Sequence, residues 1–472
     1  MRLTLEGHDE RYLMETLALL FFPAAGFSES SDDSAFAETA IRCKEAFVSI
    51  TANGVTVCES EPVRQNEKQA LARAFYRAGV RLTEIEPPWG TLTGIRPAKR
   101  VKALLDSGLS VDEAADTLFN SCYTMPKKTR LCADVIAAES RALEKLDTKA
   151  VSVYIGIPFC PTRCSYCSFV SHSVEKEGHL ISQYVDALIE EINTTLSRLS
   201  LPVQSVYIGG GTPTTLSAQQ LQAVMDAVRK NVDFQGLLEY TVEAGRPDTI
   251  TAENLEAIRL GGADRISVNP QTTCDATLRE IGRDHTAKDF FEAFELAKSF
   301  PTVNVDLIAG LPGETPDIFK KSLDDVLALA PRNVTVHSLS LKRAARMQYS
   351  DMVRSKKDSD SIFEMLEMAA NKTAAAGLKP YYLYRQRNTL GNLENVGYSV
   401  DGAEGLYNIY IMGEYQSIVA LGCGGVSKVT NLTGGRIERV FNDKHVHEYL
   451  RGIEKREINK AKLFNLLYRR QF

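Results

Sequence analysis

From residue 151 onward short apolar runs alternate with amphipathic stretches, and this alternation constrains the fold more than any other feature of the chain. The runs cover residues 151–157, 203–208, 239–243, 265–268, 303–308 and 334–339. Their lengths and Val/Ile content suit buried strands. The stretches between them carry helix signals. Ser217-Ala-Gln-Gln220 is a capping-box pattern. Thr251 precedes a helical run that Gly261-Gly262 ends. Pro316 follows Thr315 at a first helical position, where its missing N–H costs nothing. Strands and helices alternating in this way predict βα units around a parallel sheet. Six such units fit an open doubly wound sheet or a partial barrel. In both, ligands gather at the carboxyl ends of the strands.

The flanks read differently. In the first 150 residues a strand at 2–6, a hairpin around Asn53-Gly54 and a helix at 65–78 predict an α+β unit, with mostly helix from 91 to 146. Arg96, Lys99, Arg100 and Lys102 in that helical stretch read as a solvated face, the sharper alternative being an anion or partner surface. After about 345 the chain returns to mixed structure with Gly-rich turns. The expected boundaries are 1–148, 149–345 and 346–472, consistent with two to three domains for 472 residues. The net charge of −5 argues against a nucleic-acid partner. No apolar run is long enough to span a bilayer; residues 16–27 are short, contain Pro23 and follow an acidic stretch, so they read as a buried helix end. A cytoplasmic monomer is expected. Nine cysteines, an odd count in a large chain, point away from a disulfide framework.

Three of the nine bunch. The first run ends in Tyr154-Ile-Gly-Ile-Pro-Phe-Cys160-Pro-Thr-Arg-Cys164-Ser-Tyr166-Cys167. Three thiolates on one short loop can hold three irons of a [4Fe–4S] cubane and leave the fourth open. Zinc would want a fourth ligand, and no second Cys or Cys/His pair stands at a suitable spacing. This C-x3-C-x2-C spacing, with an aromatic before the last Cys and at the end of the first strand of a βα repeat, resembles the radical S-adenosylmethionine (SAM) superfamily. That resemblance implies a [4Fe–4S] cluster whose open iron chelates SAM.

Further polar groups stand where the later strands end. The second run closes on Gly209-Gly210-Gly211-Thr212-Pro213, which alone would serve equally as a turn. Glu243 ends the third run, Gln271 follows the fourth, Arg283 lies in the next loop and Asp306 sits in the fifth run. Each singly reads as a surface or capping residue; four around one mouth do not. Together these motifs resemble the oxygen-independent coproporphyrinogen III oxidase (dehydrogenase) family. The likeness is close over about 150–345 and looser over 380–430, through Tyr407-Asn408-Ile-Tyr and the Gly-rich segment 420–427. The stretch Thr93-Gly-Ile-Arg96-Pro-Ala-Lys-Arg resembles an anaerobe-associated branch with an extra N-terminal domain.

The resemblance implies a partial (β/α)6 radical-SAM barrel with an N-terminal α+β accessory domain and a C-terminal α+β covering domain. It makes Cys160, Cys164 and Cys167 the cluster ligands. It makes Tyr154, Tyr166, Gly210, Gly211, Thr212, Glu243, Gln271, Arg283 and Asp306 the cofactor-binding residues, and it singles out no catalytic side chain. It implies oxidative decarboxylation of a tetrapyrrole substrate, with a low-potential electron donor such as flavodoxin or ferredoxin. Where the established enzymes carry a fourth Cys, this chain has Phe169, as heme-trafficking relatives do. A heme chaperone or carrier, or another radical-SAM enzyme acting on a tetrapyrrole, are therefore the alternatives. Arg385, Arg387, Lys342 and Arg343 are candidate contacts for tetrapyrrole carboxylates. His285 and His337 read as satisfied histidines rather than heme ligands.

Overall fold

The computed structural model describes residues 1–23, 25–27, 35–64, 66–94, 96–167, 171–341, 345, 347, 356–386, 389, 392–430 and 437–469. No described helix is long and apolar enough to cross a membrane. The chain starts with β1 (Arg2–Glu6), α1 (Arg11–Phe21), β2 (Ala35–Arg42), β3 (Glu45–Ala52), β4 (Val55–Pro62) and α2 (Glu67–Thr83). The strands form a sheet in the order β1-β2-β3-β4. Asn53 and Gly54 make the predicted hairpin, with φ of 52° and 78°, both positive as a two-residue primed turn requires. Met14 and Leu17 of α1 and Leu71 and Phe75 of α2 cover one face and give this sheet its own core.

Three helices follow: α3 (Pro97–Asp106), α4 (Val111–Cys122) and α5 (Pro126–Leu143). Val101, Leu118, Cys132 and Val135 bury into the large core of the central sheet. The basic residues of α3 are largely paired. Arg96 and Lys99 share Glu414, and Lys102 meets Asp106 at 2.9 Å. The solvated-face reading holds for Lys102, whereas Arg96 and Lys99 are spent on a tertiary ion pair and Arg96 is mostly buried.

The central sheet is built from β5 (Val151–Ile157), α6 (Val174–Glu177), α7 (Ile181–Leu196), β8 (Val203–Gly210), α8 (Ala218–Asn231), β9 (Glu239–Gly245), α9 (Ala252–Leu260), β10 (Arg265–Val268), α10 (Asp275–Glu280), α11 (Ala287–Ala297), β11 (Thr302–Ala309), α12 (Pro316–Ala328) and β12 (Asn333–Ser338), with the two-residue strands β6 (Phe159–Cys160) and β7 (His172–Ser173) in the loop after β5. The remaining elements are α13 (Lys356–Ala375), β13 (Lys379–Arg385), β14 (Glu394–Ser399), α14 (Leu406–Gly413), β15 (Ser417–Leu421), β16 (Val426–Val429), β17 (Glu438–Phe441), α15 (Val446–Arg451) and α16 (Ile453–Tyr468).

The strand order is β13-β14-β12-β11-β10-β9-β8-β5-β15-β16-β17. The six predicted strands run parallel from β5 to β12. These six strands follow one another in chain order without the reversal a doubly wound sheet has, and β5 and β12 do not pair with each other, so the sheet is an unclosed arc and the partial-barrel alternative is the correct one. Strands from beyond residue 345 lengthen it at both ends, β15 parallel to β5 and β14 antiparallel to β12. Caps fix the helices: Ser217 and Gln220 form the predicted capping box, and Thr251 and Thr315 accept from the third residue on.

Strand residues alternate between two faces. Tyr154, Tyr207, Glu243, Asp306 and His337 are among the half-buried members of that alternation, and they share the concave side. Its floor is closed by α14. Glu239 accepts from the Leu406 and Tyr407 N–H groups at 2.7 and 3.2 Å, a carboxylate placed at a helix N-terminus. Tyr407 stacks on Tyr207 with ring centroids 4.6 Å apart, and both lie beside Tyr154.

Candidate active site

The loop after β5 is pinned at both ends and in its middle. Phe159 and Cys160 pair with His172 and Ser173. Ser165 N–H donates to Ile281 O at 3.0 Å, and Thr162 Oγ1 to Gly282 O at 3.2 Å. Arg246, almost fully buried, forks onto Asp248 at 2.8 and 3.0 Å and donates to Thr162 Oγ1 at 2.7 Å. Arg246 is thus a brace of the cysteine loop. The sequence offered only its place in the Glu243-Ala-Gly-Arg-Pro run and no hint of this partner.

The glycine run lies against that loop. Gly211 N–H donates to Ile157 O and Thr212 N–H to Phe159 O, both at 2.7 Å. A Cβ on Gly211 would stand 2.5 Å from Phe159 O and 3.0 Å from Cys160 Sγ, so no side chain fits there. Gly210 has φ of 113°, which other residues rarely adopt. Thr212 Oγ1 donates to Cys160 Sγ at 3.5 Å, while burial pushes this thiol up. Tyr166 and Arg283 adjoin Cys164, and Tyr166 also adjoins Cys167. Among the described residues no three His, Cys, Asp or Glu side chains converge on a single metal ion. That is not the closed tetrahedron of structural zinc. Three soft thiols on one loop are the donor set of a cluster, in which each thiolate would bind its own iron.

Glu243, near the carboxyl end of β9, is hydrogen-bonded by Tyr207 and the Gly210 N–H. Burial, then the charge of Asp306, pushes it up to about 7. Burial opposes the charge of Asp306 as well, but His337 and Asn304 outweigh it and hold that carboxyl below its ordinary range. Gln271 has φ of 71°, a strained backbone for a residue with a side chain, and such strain concentrates at functional sites. Its backbone is clamped between Asp306 O and Ile308 N–H, and its buried Oε1 has no partner. Arg283 donates to Asn269 O at 2.5 Å and to Pro270 O at 3.2 Å, while its buried Nε has none. The structure therefore assembles soft thiols, a cradle without side chains, two carboxylates and two unsatisfied buried polar atoms at one mouth. Those residues fit a cluster together with a charged, hydroxyl-bearing ligand such as SAM.

Other expectations fare differently. Arg385 is corrected: it is 3 % exposed and spends its guanidinium on Leu92 O, Gly94 O and Asn392 O, so it cannot meet a substrate carboxylate. Arg387, Lys342, Arg343 and Phe169 lie outside the described residues. His285 is buried 3.7 Å from Asp248; burial, then Arg283, lowers it to about 4, so it is neutral at pH 7.

The charge state of Glu243 has a stability consequence. Its carboxyl titrates near 7 when folded, against an ordinary 4.5. Below pH 4.5 both states are protonated and nothing is lost. Between 4.5 and 7 the unfolded chain ionises first, and above 7 the cost to the fold is about 3 kcal/mol. Glu243→Gln should therefore raise the melting temperature at pH 8 and leave it unchanged at pH 4.5, as thermal denaturation at both would show. Equal shifts at the two pH values would contradict this.

The Radical SAM superfamily profile matches residues 154–326. The "Oxygen-independent coproporphyrinogen-III oxidase-like protein HemZ" of Bacillus subtilis (strain 168) is 34 % identical over 99 % of this chain and 99 % of its own. The "Heme chaperone HemW" of Haemophilus influenzae is 30 % identical over 64 % of this chain and 76 % of its own. Among solved structures, coproporphyrinogen III oxidase (HemN) from Escherichia coli shares the fold, with a TM-score of 0.53 and 21 % identity over 67 % of this chain and 71 % of that one. Site and comparisons agree: the chain belongs to the radical SAM superfamily, among the oxygen-independent coproporphyrinogen-III oxidase-like proteins, whose superfamily cofactors are a [4Fe–4S] cluster and SAM.

Proposed function

We propose that the chain is a cytoplasmic radical-SAM oxidoreductase that converts propionate side chains of coproporphyrinogen III to vinyl groups, giving protoporphyrinogen IX. The observation that carries this reading is the end-to-end match to the coproporphyrinogen-III oxidase-like relative, N-terminal layer included. Cys160, Cys164 and Cys167 would hold three irons, and SAM would take the fourth. Gly210, Gly211 and Thr212 would receive the SAM amino group. Glu243, Gln271, Arg283 and Asp306 would meet its hydroxyls and carboxylate, with Tyr154 and Tyr166 flanking. When both cofactors are bound and a low-potential donor such as flavodoxin or ferredoxin supplies an electron, they deliver a 5′-deoxyadenosyl radical that takes one hydrogen atom. The resulting propionate radical would then release CO2 and pass one electron to an external one-electron acceptor, leaving a vinyl group, and two such rounds, each consuming one SAM, would give the product. The protein's part is to bind, orient and exclude water. The Tyr154/Tyr207/Tyr407 stack does the last of these at the cavity floor.

A second reading, a heme carrier that keeps the cluster, is favoured by the heme-chaperone relatives and by Phe169. Mass spectrometry of an anaerobic reaction containing reconstituted protein, SAM, a reductant and coproporphyrinogen III separates the two. Loss of two CO2 with formation of 5′-deoxyadenosine is expected. No decarboxylation alongside a stable Soret-absorbing heme complex would overturn the enzyme reading in favour of the carrier.

A further inference from the structure

The end of the sheet formed by β11, β12, β14 and β13 carries a line of polar contacts that ends on Asp306. Gln386 Nε2 lies 3.5 Å from Tyr384 Oη, Tyr384 Oη lies 3.3 Å from His337 Nδ1, and His337 Nε2 faces Asp306 Oδ2 at 3.6 Å. The last separation is an ion-pair distance, slightly longer than a formed hydrogen bond. From the other side Asn304 Nδ2 donates to Asp306 Oδ1 at 2.8 Å, and Thr335 Oγ1 donates to Asn304 Oδ1 at 3.1 Å.

Donor chemistry gives the line one direction. An amide N–H only donates, so Tyr384 Oη accepts from Gln386. The Asp306 carboxylate can only accept, so the Nε2 that faces it carries the imidazole proton, leaving Nδ1 to accept from Tyr384 Oη. Each carboxylate oxygen thereby faces one fixed donor. His337 keeps 25 % of its side chain exposed and Asp306 15 %, so both still reach the concave cavity. Three strands far apart in sequence converge on one carboxylate, and the last of them, β13, comes from outside the six βα units.

We propose that His337 and Tyr384 are positioning residues that hold Asp306 as an ionised, oriented acceptor for the sugar hydroxyls of SAM. The proposal rests on the assignment of Asp306 to SAM made above. In metal sites, partners that orient a ligand change affinity by about 10- to 100-fold when removed, and an effect near the lower end is expected where the oriented group binds sugar hydroxyls.

The test uses full-length, cluster-loaded protein under anaerobic conditions. Radiolabelled SAM is bound in equilibrium dialysis, and the change of the reduced cluster's EPR spectrum on SAM addition is followed in parallel. His337→Ala should raise the SAM dissociation constant about tenfold with unchanged iron content. His337→Gln, whose amide can donate to the same oxygen, should restore it to within about threefold. Tyr384→Phe removes one hydroxyl and should cost about threefold through loss of the fixed tautomer. Asp306→Asn should cost about tenfold, and the His337→Ala/Asp306→Asn double variant should be no worse than Asp306→Asn alone. Unchanged binding in His337→Ala or Tyr384→Phe, or multiplicative effects in the double variant, would overturn the positioning role while leaving Asp306 at SAM. Unchanged binding in Asp306→Asn would instead overturn the assignment of Asp306, and the proposal with it.

Discussion

Cys164→Ala is expected to abolish cluster uptake and SAM cleavage together. Iron content of the anaerobically reconstituted protein should fall to background, and 5′-deoxyadenosine should no longer form. The three thiols come from one loop whose ends are joined by the Phe159–His172 and Cys160–Ser173 pairs and whose centre is pinned by Ser165 on Ile281. Removing the middle ligand leaves two thiolates where a site-differentiated cubane needs three. Cys58→Ser is the matched control: Cys58 is exposed on β4 of the separate four-stranded sheet and should keep both iron and activity. Full iron content in Cys164→Ala would exclude it as a ligand.

Lys460→Met is expected to produce the largest loss of stability. Lys460 and Glu191 pair at 2.6 Å, and both are 3 % exposed. Glu191 also accepts from the Gly422 N–H at 2.8 Å, Tyr449 Oη at 2.6 Å and Asn442 Nδ2 at 2.9 Å. Burial opposes this charge, but Lys460 and these donors hold the carboxyl below its ordinary range. Removing the cation leaves a buried charge without its counter-ion, a loss of roughly 3–5 kcal/mol. Replacing both partners by apolar residues should recover much of it, a non-additivity that thermal melts of the two single variants and the double variant would reveal. The site should feel the loss. Gly422 packs so tightly on β5 that a Cβ there would stand 2.5 Å from Gly156 O, and Tyr184 Oη links Gly156 O to the Cys423 N–H. A drop in melting temperature no larger than that of an exposed Lys→Met substitution would contradict this account.

What the sequence reveals divides along the range of the interactions involved. The six βα units are legible because strand composition, N-caps and C-terminal glycines act within a few residues. The three cysteines are legible because one loop carries them all. The glycine run and the polar residues at the strand ends are legible by position, since βα order fixes which end of each strand faces the mouth. β14 and β15 were not, because their pairings with β12 and β5 are set by tertiary contact and both strands are short. Arg246, Tyr207 and Tyr407 carry no spacing signal; only the curvature of the sheet brings them to the cysteine loop and the cavity floor. Arg385 misled for the same reason, since nothing local shows that the carbonyls of Leu92 and Gly94 will bury it. His337 was read as a satisfied histidine, and the structure supplies its neighbours, Tyr384 and Asp306.

The central claim is that this mouth holds a [4Fe–4S] cluster with one iron open to SAM and cleaves SAM by one-electron reduction. The most direct test needs no tetrapyrrole. Anaerobically reconstituted protein is reduced, SAM is added, and the EPR spectrum and the nucleoside products are recorded. The account predicts a SAM-dependent change in the cluster signal and formation of methionine and 5′-deoxyadenosine. A fully loaded cluster whose signal is unmoved by SAM and which yields no 5′-deoxyadenosine would contradict it.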